Sequence, residues 1–304
     1  MKLSDGVFKS PTYASFGILL GGALWGLMWW PVREMADIGL WGMWPPALIY
    51  LFTLMLMLPI AVKRRKLIAA RWRQLAVIGL LSGSAFTFYT VSLLMTEVVR
   101  SLLLFYLTPV WGTILGIAVL GERPGPGRVC AILLGLAGLL VILGLGNGWP
   151  LPRNGGDWLA LLAGVLWAFA SLKLYQMGNI AAQDQMLAFV SGGAVVSVLL
   201  LIFGGSQLGG ALPVGIFLDA LPYAFLFALY FAPTLFLTLW PATILTPGRA
   251  GLLLMSEVVI GVLSAALFAN EVFGMRELVG TLLITSAAAV EVLWRGTPAK
   301  AGGP

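Results

Sequence analysis

One glutamate, Glu257, lies inside a stretch that is otherwise apolar enough to cross a bilayer. The stretch, PGRAGLLLMSEVVIGVLSAALFANE, covers residues 247–271, with Ser256 beside the glutamate and Gly261 and Ser264 at helical spacing. A carboxylate at that depth is costly unless it faces protein or water, so it marks a candidate functional site. Two interpretations stay open: an acid that serves packing, and a cavity-facing group that binds a substrate cation or takes up a proton.

Aromatic side chains are the second candidate for chemistry. Several rings lie deep in apolar runs, and a phenol hydroxyl there needs a hydrogen-bond partner, which a central aromatic-lined cavity would supply. For any single ring, core packing or the aromatic belt at the membrane surface is the more common explanation. The predicted substrate-binding residues are Trp25, Tyr89, Tyr106, Trp167, Tyr230, Ser256 and Glu257.

Prolines inside apolar runs predict breaks in the helices. Pro109 lies in the fourth run, and Pro233 and Pro241 lie in the eighth. A proline leaves a backbone carbonyl without its helical donor, which is tolerated only where protein or cavity water satisfies that carbonyl. We expect an interruption at each position, either as a static kink or as a bend that moves.

Composition excludes a soluble protein and the usual enzymes. Of 304 residues, 60% are hydrophobic and 10% are charged, against about 25% charged in soluble domains. There is no histidine, which removes the commonest metal ligand and general base. The five aspartates lie at the margins of apolar runs, no ATP-binding glycine loop is present, and the single Cys130 is interpreted as a packing residue. The sequence therefore predicts no enzyme, no cofactor and no metal.

The apolar runs predict an all-α membrane protein with ten transmembrane helices. A helix that spans the bilayer needs about 20 mostly apolar residues. Seven runs contain no charge, and three contain one charge each, at Lys173, Glu257 and Glu291. The charge-free runs are 10–32, 38–62, 74–96, 101–121, 129–152, 185–218 and 220–248, and the interrupted runs are 158–183, 250–270 and 278–294.

The distribution of basic residues predicts that both termini are cytoplasmic. With that orientation, fourteen of the 18 lysines and arginines fall in inside loops. The four on the outside are Arg33, Arg100, Arg153 and Arg276. The basic run 63–66 then anchors the topology against membrane phosphates, and we expect no nucleic-acid partner.

The chain also contains an internal repeat. A shift of 149 positions places Arg249 on Arg100 and Glu271 on Glu122, so in each half an arginine opens a span and a glutamate closes it. Ten helices in two copies give five per copy, and an odd number requires the second copy to be inverted. We predict an N-terminal repeat at 1–147, a linker at 148–156 and a C-terminal inverted repeat at 157–304.

Two pairs of glycines predict close helix packing. Gly79 and Gly83 in the third helix, and Gly112 and Gly116 in the fourth, have the four-residue spacing that lets backbones approach.

Two segments carry a family resemblance. Residues 100–142, RSLLLFYLTPVWGTILGIAVLGERPGPGRVCAILLGLAGLLVI, resemble the fourth and fifth helices of the EamA-type repeat of the drug/metabolite transporter superfamily. Residues 246–284, TPGRAGLLLMSEVVIGVLSAALFANEVFGMRELVGTLLI, are similar to the closing repeat of YddG-type aromatic amino acid exporters. The two copies differ at Val258, where the first half has Pro109, so they are not functionally equivalent.

The resemblance implies a multi-pass secondary transporter of the inner membrane. It would export aromatic and other neutral amino acids by alternating access, with a central cavity between the halves. Its partners would be the amino acid, the lipid bilayer and, as a candidate coupling ion, the proton. The alternative is an exporter of another metabolite or of cationic drugs, for which a buried Glu257 is equally suited, and a channel or an intramembrane sensor is a third class.

Overall fold

The computed structural model is helical throughout the part of the chain that it describes, and no strand occurs there. It describes residues 10–121, 125–143, 152–177, 180–204, 208–245, 253–254, 256–269 and 274–294. The helices within these ranges are α1 (Pro11–Gly26), α2 (Trp29–Asp37), α3 (Trp44–Ala70), α4 (Trp72–Met95), α5 (Val98–Phe105), α6 (Thr108–Leu120), α7 (Pro126–Leu143), α8 (Gly155–Met177), α9 (Ala182–Phe203), α10 (Val214–Ala242), α11 (Ser256–Phe268) and α12 (Met275–Trp294).

Seven segments of the described chain are long and apolar enough to cross a membrane. Two of them join neighbouring helices, α1 with α2 and α5 with α6, and the other five are α3, α4, α8, α9 and α10. The remaining three predicted spans coincide with α7, α11 and α12. Helix α12 covers the whole of the predicted run 278–294, whereas α7 and α11 cover part of theirs within the described residues. The protein is a multi-pass membrane protein. The repeat boundaries at 147 and 148 and most of the linker lie outside the described residues.

The predicted break at Pro109 is confirmed. Helix α5 ends at Phe105 and α6 begins at Thr108, with the proline in its first turn. The Phe105 carbonyl, four residues before Pro109, cannot receive a backbone donor from it. The Thr108 hydroxyl donates to this oxygen instead, at 2.7 Å. Gly164 of α8 leaves room for the same carbonyl, because a Cβ there would lie 2.7 Å from it.

Helix α10 is not broken at Pro233 or Pro241, and a kink or bend within it at these positions stays a prediction. Helix α10 runs continuously from Val214 to Ala242 with both prolines inside it. In lipid the helix is the conformation that satisfies most backbone groups, so a spanning segment tolerates prolines that would break a soluble helix. The Thr234 hydroxyl adds a bond to the Tyr230 carbonyl at 2.7 Å within this stretch.

Glycines bring α4 and α9 into direct backbone contact. A Cβ on Gly192 would collide with the Gly79 carbonyl, and a Cβ on Gly83 would collide with the Gly193 nitrogen. The prediction of close packing at Gly79 and Gly83 is therefore confirmed. For Gly112 it is wrong, because no described atom lies within 4 Å of the position of its Cβ.

Exposed side chains outline the surface that faces lipid. Trp41, Trp72 and Trp158 at helix ends are exposed, as an aromatic belt requires. Cys130 is also exposed, so its interpretation as a packing residue is wrong. The sequence also places Trp149 and Trp294 near span ends, but Trp149 and the side chain of Trp294 lie outside the described residues.

The helix contacts form related pairs. Helix α4 packs on α8 and α9, and α10 packs on α1 and α3. Helices α5 and α6 pack on α8, and α11 packs on α1. Helices α3 with α9, α5 with α11, and α7 with α12 form three further contacts. Exchanging the predicted first five spans with the last five converts the contacts of α4 with α8 and α9 into those of α10 with α1 and α3. It converts the contacts of α5 and α6 with α8 into that of α11 with α1, and it leaves each of the last three contacts unchanged.

Candidate functional site

The Glu257 carboxyl group is buried where α5 and α11 meet. Its side chain is in the first turn of α11, and the residue is 4% exposed. The Tyr106 hydroxyl, at the end of α5, donates to Glu257 Oε2 at 2.6 Å. The Tyr89 hydroxyl lies beside the same carboxyl group. Glu257 Oε1 has no hydrogen-bond partner among the described residues, so one buried acceptor is available for a ligand.

A cluster of aromatic rings adjoins this carboxyl group. Phe86 of α4 is its centre, with the Trp25 ring 4.7 Å away and the Trp167 ring edge-on at 5.1 Å. Tyr89 joins the cluster through Phe105 at 4.7 Å. These rings come from four spans, so the cluster forms only when those spans are assembled.

The rings contact one another rather than enclose an open cavity. Trp25, Phe86 and Tyr89 are all nearly inaccessible to solvent, and Phe231 fits edge-on against Trp25 at 5.5 Å. The expected aromatic-lined hollow is therefore filled by its own lining in this conformation. Edge-to-face rings are stable together without a ligand, and a substrate of similar size would have to separate them.

Two indole groups attach the first span to the second half of the chain. Trp25 Nε1 donates to the Thr238 hydroxyl on α10 at 2.8 Å. Trp29 Nε1 donates to the Ser264 hydroxyl on α11 at 3.0 Å. Both bonds are buried, and both acceptors are hydroxyl groups that can also turn toward a polar ligand.

Two predicted site residues donate their hydroxyl hydrogen bonds to backbone carbonyls rather than to the carboxyl group. Tyr230 donates its hydroxyl hydrogen bond to the Leu24 carbonyl, where α1 ends. Ser256 donates to the Leu19 and Leu253 carbonyls at 3.0 and 2.9 Å and fits against Gly22 of α1. The structure therefore brings Trp25, Tyr89, Tyr106, Trp167 and Glu257 into one region, and it places Ser256 in helix packing.

The sequence analysis missed a buried ion pair between α5 and α8. Arg100 Nη2 lies 2.5 Å from Asp157 Oδ2, and the aspartate is fully buried. The Thr96 hydroxyl and the Arg153 backbone amide also donate to this carboxylate, at 2.7 and 2.9 Å. Asn154 Oδ1 accepts from the Asp157 backbone amide at 2.9 Å, which caps the start of α8.

A second ion pair joins α3 to α9. Arg64 Nε and Nη2 contact the two oxygens of Asp184 at 2.5 and 2.7 Å, a bidentate arrangement. Asp157 and Asp184 begin the successive spanning helices α8 and α9, so the two ion pairs lie at opposite ends of the bundle.

One sequence signal could have found the first pair. Arg100 and Arg33 are exceptions to the inside bias of the basic residues, and each has a structural reason for its position. Arg100 is held by Asp157, and Arg33 donates to the Leu93 and Thr96 carbonyls at 3.3 Å. Arg249, Glu122 and Glu271, which support the repeat in sequence, lie outside the described residues.

Comparison with known families gives a match within the first half of the chain. Residues 12–144 match the EamA-like transporter family. The EamA-like match covers α1 to α7 and thus includes Trp25, Tyr89 and Tyr106. It agrees with the superfamily that residues 100–142 resemble.

The fold also matches a solved structure along nearly its whole length. A crystal structure described only as "Crystal structure of protein" superposes with a TM-score of 0.62 at 23% identity. The superposition covers 94% of this chain and 97% of the other. At this identity the likeness concerns the fold alone. No curated protein matches the sequence.

Proposed function

We propose that the protein is a secondary exporter of aromatic and other neutral amino acids in the inner membrane. The single observation that carries this proposal is the buried Glu257 carboxyl group, with one oxygen unpaired among the described residues and a wall of aromatic rings beside it. The EamA-like match of residues 12–144 supplies the class of protein, and the site supplies the class of substrate.

Each part of an aromatic amino acid has a complementary group. Its ammonium fits the Glu257 carboxylate, since a buried anion with a free oxygen favours a cationic partner. Its ring fits between Trp25, Phe86 and Trp167 once these separate, because flat rings replace one another with little loss of contact. The hydroxyl and indole donors around Trp25, such as Thr238, are available to its carboxylate.

We propose further that residues 1–147 and 157–304 are inverted repeats that rock against each other. The paired helix contacts support this arrangement, since α4 on α8 has its counterpart in α10 on α1. The Tyr106–Glu257 bond would then join the halves at the centre. Rocking of two inverted repeats about a central site is the common basis of alternating access.

The two ion pairs suit the ends of such a pathway. Arg100–Asp157 and Arg64–Asp184 each join a helix of the first half to a helix of the second. With both termini cytoplasmic, Arg64–Asp184 closes the inner end and Arg100–Asp157 the outer end. With the central rings in contact, a conformation closed at both ends is the expected intermediate between the two open states.

The proposal is tested by exchange in proteoliposomes. Vesicles containing the purified protein and unlabelled phenylalanine should take up labelled phenylalanine or tryptophan faster than empty vesicles. Glu257→Ala should abolish uptake, whereas Glu277→Ala, a change in the first turn of α12, should not. Absence of uptake above empty vesicles would reject amino acid export.

A second candidate, export of cationic drugs or another metabolite, is favoured by the same Glu257. A lipophilic cation needs the carboxylate and the rings but no donors for a carboxylate of its own. Competition distinguishes the two: leucine and phenylalanine should inhibit uptake if the substrate is an amino acid, and tetraphenylphosphonium should inhibit it if the substrate is a lipophilic cation.

Coupling to protons is a separate part of the proposal. If Glu257 carries the proton of an antiport cycle, Glu257→Gln should retain exchange of amino acid but lose the response to an imposed pH gradient. An unchanged response to the gradient would remove the proton from the mechanism and leave a facilitator.

A further inference from the structure

A groove of about 330 Å³ opens on the side of the bundle between the first span and α10. Leu27, Trp30, Pro31 and Glu34 form one wall, and Tyr223, Leu226, Phe227 and Tyr230 form the other. The rim side chains Trp30, Tyr223 and Leu226 are exposed, and both walls belong to spanning segments. The groove therefore faces the acyl chains of the bilayer rather than water.

The groove runs along the membrane normal. Leu27 and Tyr230 lie in the interior of their spans, whereas Glu34 lies three residues before Asp37, where its span ends. At the helical rise, Leu27 and Glu34 are about 10 Å apart along the axis. An elongated apolar body lying in this groove is thus parallel to the neighbouring lipids.

One carboxylate lies at the end of the groove nearest the membrane surface. Trp30 Nε1 donates to Glu34 Oε1 at 2.8 Å, which fixes the carboxylate at the rim. The second oxygen has no hydrogen bond from the described residues, and no described arginine or lysine pairs with Glu34. A cationic group at the level of the lipid headgroups would complement this charge.

We propose that this groove is a binding site for an aminophospholipid. One acyl chain lies between Leu27, Leu226 and Phe227, and the headgroup ammonium pairs with Glu34. A phosphatidylethanolamine molecule has both parts at the required separation, since its ammonium and its acyl chain are joined across the membrane interface. This proposal requires that the chain lies in a membrane, and it does not depend on which substrate is transported.

A lipid in the groove would contact the central site through few side chains. Tyr230 lines the groove and donates to the Leu24 carbonyl at the end of α1. Phe227 also lines the groove and contacts Phe231, which packs edge-on against Trp25. The bound lipid therefore supports the wall that separates the aromatic cluster from the bilayer.

The test is native mass spectrometry of the purified protein with an equal mixture of phosphatidylethanolamine and phosphatidylcholine that carry the same acyl chains. The wild type should retain phosphatidylethanolamine about tenfold more, the factor expected for one charge-assisted hydrogen bond. Glu34→Gln should remove this preference. Asp37→Asn, which removes the same charge one turn away, should keep it. Leu226→Trp, which fills the groove, should reduce retention of both lipids.

Three outcomes would overturn the proposal. Equal retention of the two lipids by the wild type would remove the role of Glu34. An equal effect of Asp37→Asn and Glu34→Gln would assign the preference to general surface charge. Transport of tetraphenylphosphonium that Glu34→Gln abolishes would assign the groove to a solute instead of a lipid.

Discussion

Each end of the helical bundle carries an arginine–aspartate pair, and the two pairs differ in their surroundings. The Arg100 and Asp157 side chains are 6% and 0% exposed, and the aspartate accepts additional hydrogen bonds from Thr96 and the Arg153 amide. The Arg64 and Asp184 side chains are 23% and 10% exposed, and the pair is bidentate.

This difference indicates which end opens more easily. Separating Arg100 from Asp157 leaves two desolvated charges, whereas separating Arg64 from Asp184 exposes them to water. Because the pairs lie at opposite ends, the rocking motion that we propose would have a higher free-energy cost at the Arg100–Asp157 end than at the Arg64–Asp184 end. We expect the Arg64–Asp184 end to be the one that is open more of the time.

The largest effect is expected from Asp157→Asn. The variant removes the carboxylate charge from a buried ion pair, which costs about 3–5 kcal/mol of unfolding free energy. Chemical denaturation in detergent micelles measures this change. Asp219→Asn, an exposed aspartate at the start of α10, is the matched control and should be neutral. Equal stability of the two variants would show that the buried pair does not hold its end closed.

A smaller loss is expected at the centre, between the two ends. Tyr106→Phe removes the hydroxyl that donates to Glu257 Oε2. The loss of this buried hydrogen bond should lower the free energy of unfolding by about 1–3 kcal/mol. The same denaturation measurement applies, with the exposed Tyr223→Phe as its control. If Tyr106→Phe lowers the free energy of unfolding less than Arg64→Gln does, the Tyr106–Glu257 bond contributes less to stability than the Arg64–Asp184 pair.

At the Arg64–Asp184 end, Arg64→Gln should cost about 1 kcal/mol. Salt screens a partly exposed pair, so the difference from the wild type should shrink between low and high ionic strength. The loss of unfolding free energy in Asp157→Asn should be the same at low and high ionic strength, which sharpens the contrast between the two ends. Arg65→Gln, the exposed neighbour, should have no effect, and a loss as large as that of Asp157→Asn would reverse the ranking.

The smallest expected effect is a difference in hydrogen exchange in the unmodified protein. Amides in the first turn of α9, near Asp184, should exchange about tenfold faster than those in the first turn of α8, near Asp157. Exchange followed by mass spectrometry on peptides from the two helix starts measures the ratio. Slower exchange at α9 would indicate that the bidentate pair holds more firmly than the buried one.

Features that depend on local sequence were predictable. The helical break near Pro109 follows from the proline, although Pro233 and Pro241 do not break α10. The glycine contact of α4 with α9 follows from the spacing of Gly79 and Gly83. The inward position of Trp25 and Glu257 follows from their depth in apolar runs, because a polar group at that depth avoids lipid.

Features that depend on tertiary partners were not predictable. Arg100 and Asp157 are 57 positions apart, and the bias of basic residues that marks Arg100 as an exception does not identify its partner. Ser256 adjoins Glu257 in sequence, yet it points to the Leu19 carbonyl, because the relative rotation of α1 and α11 decides which face it occupies. The filled state of the aromatic cluster depends on the conformation of the whole bundle, which no residue pattern specifies.

The glycine crossing of α4 and α9 has a consequence for how the protein tolerates change. Where Gly79 meets Gly192, backbone touches backbone, so even a methyl group would force the helices apart. Two bodies that rock against each other move least where they are closest, and this crossing would serve as their fulcrum. In a saturation mutagenesis experiment, we expect these glycines to be among the positions that tolerate the fewest substitutions, although they lie outside the proposed substrate site.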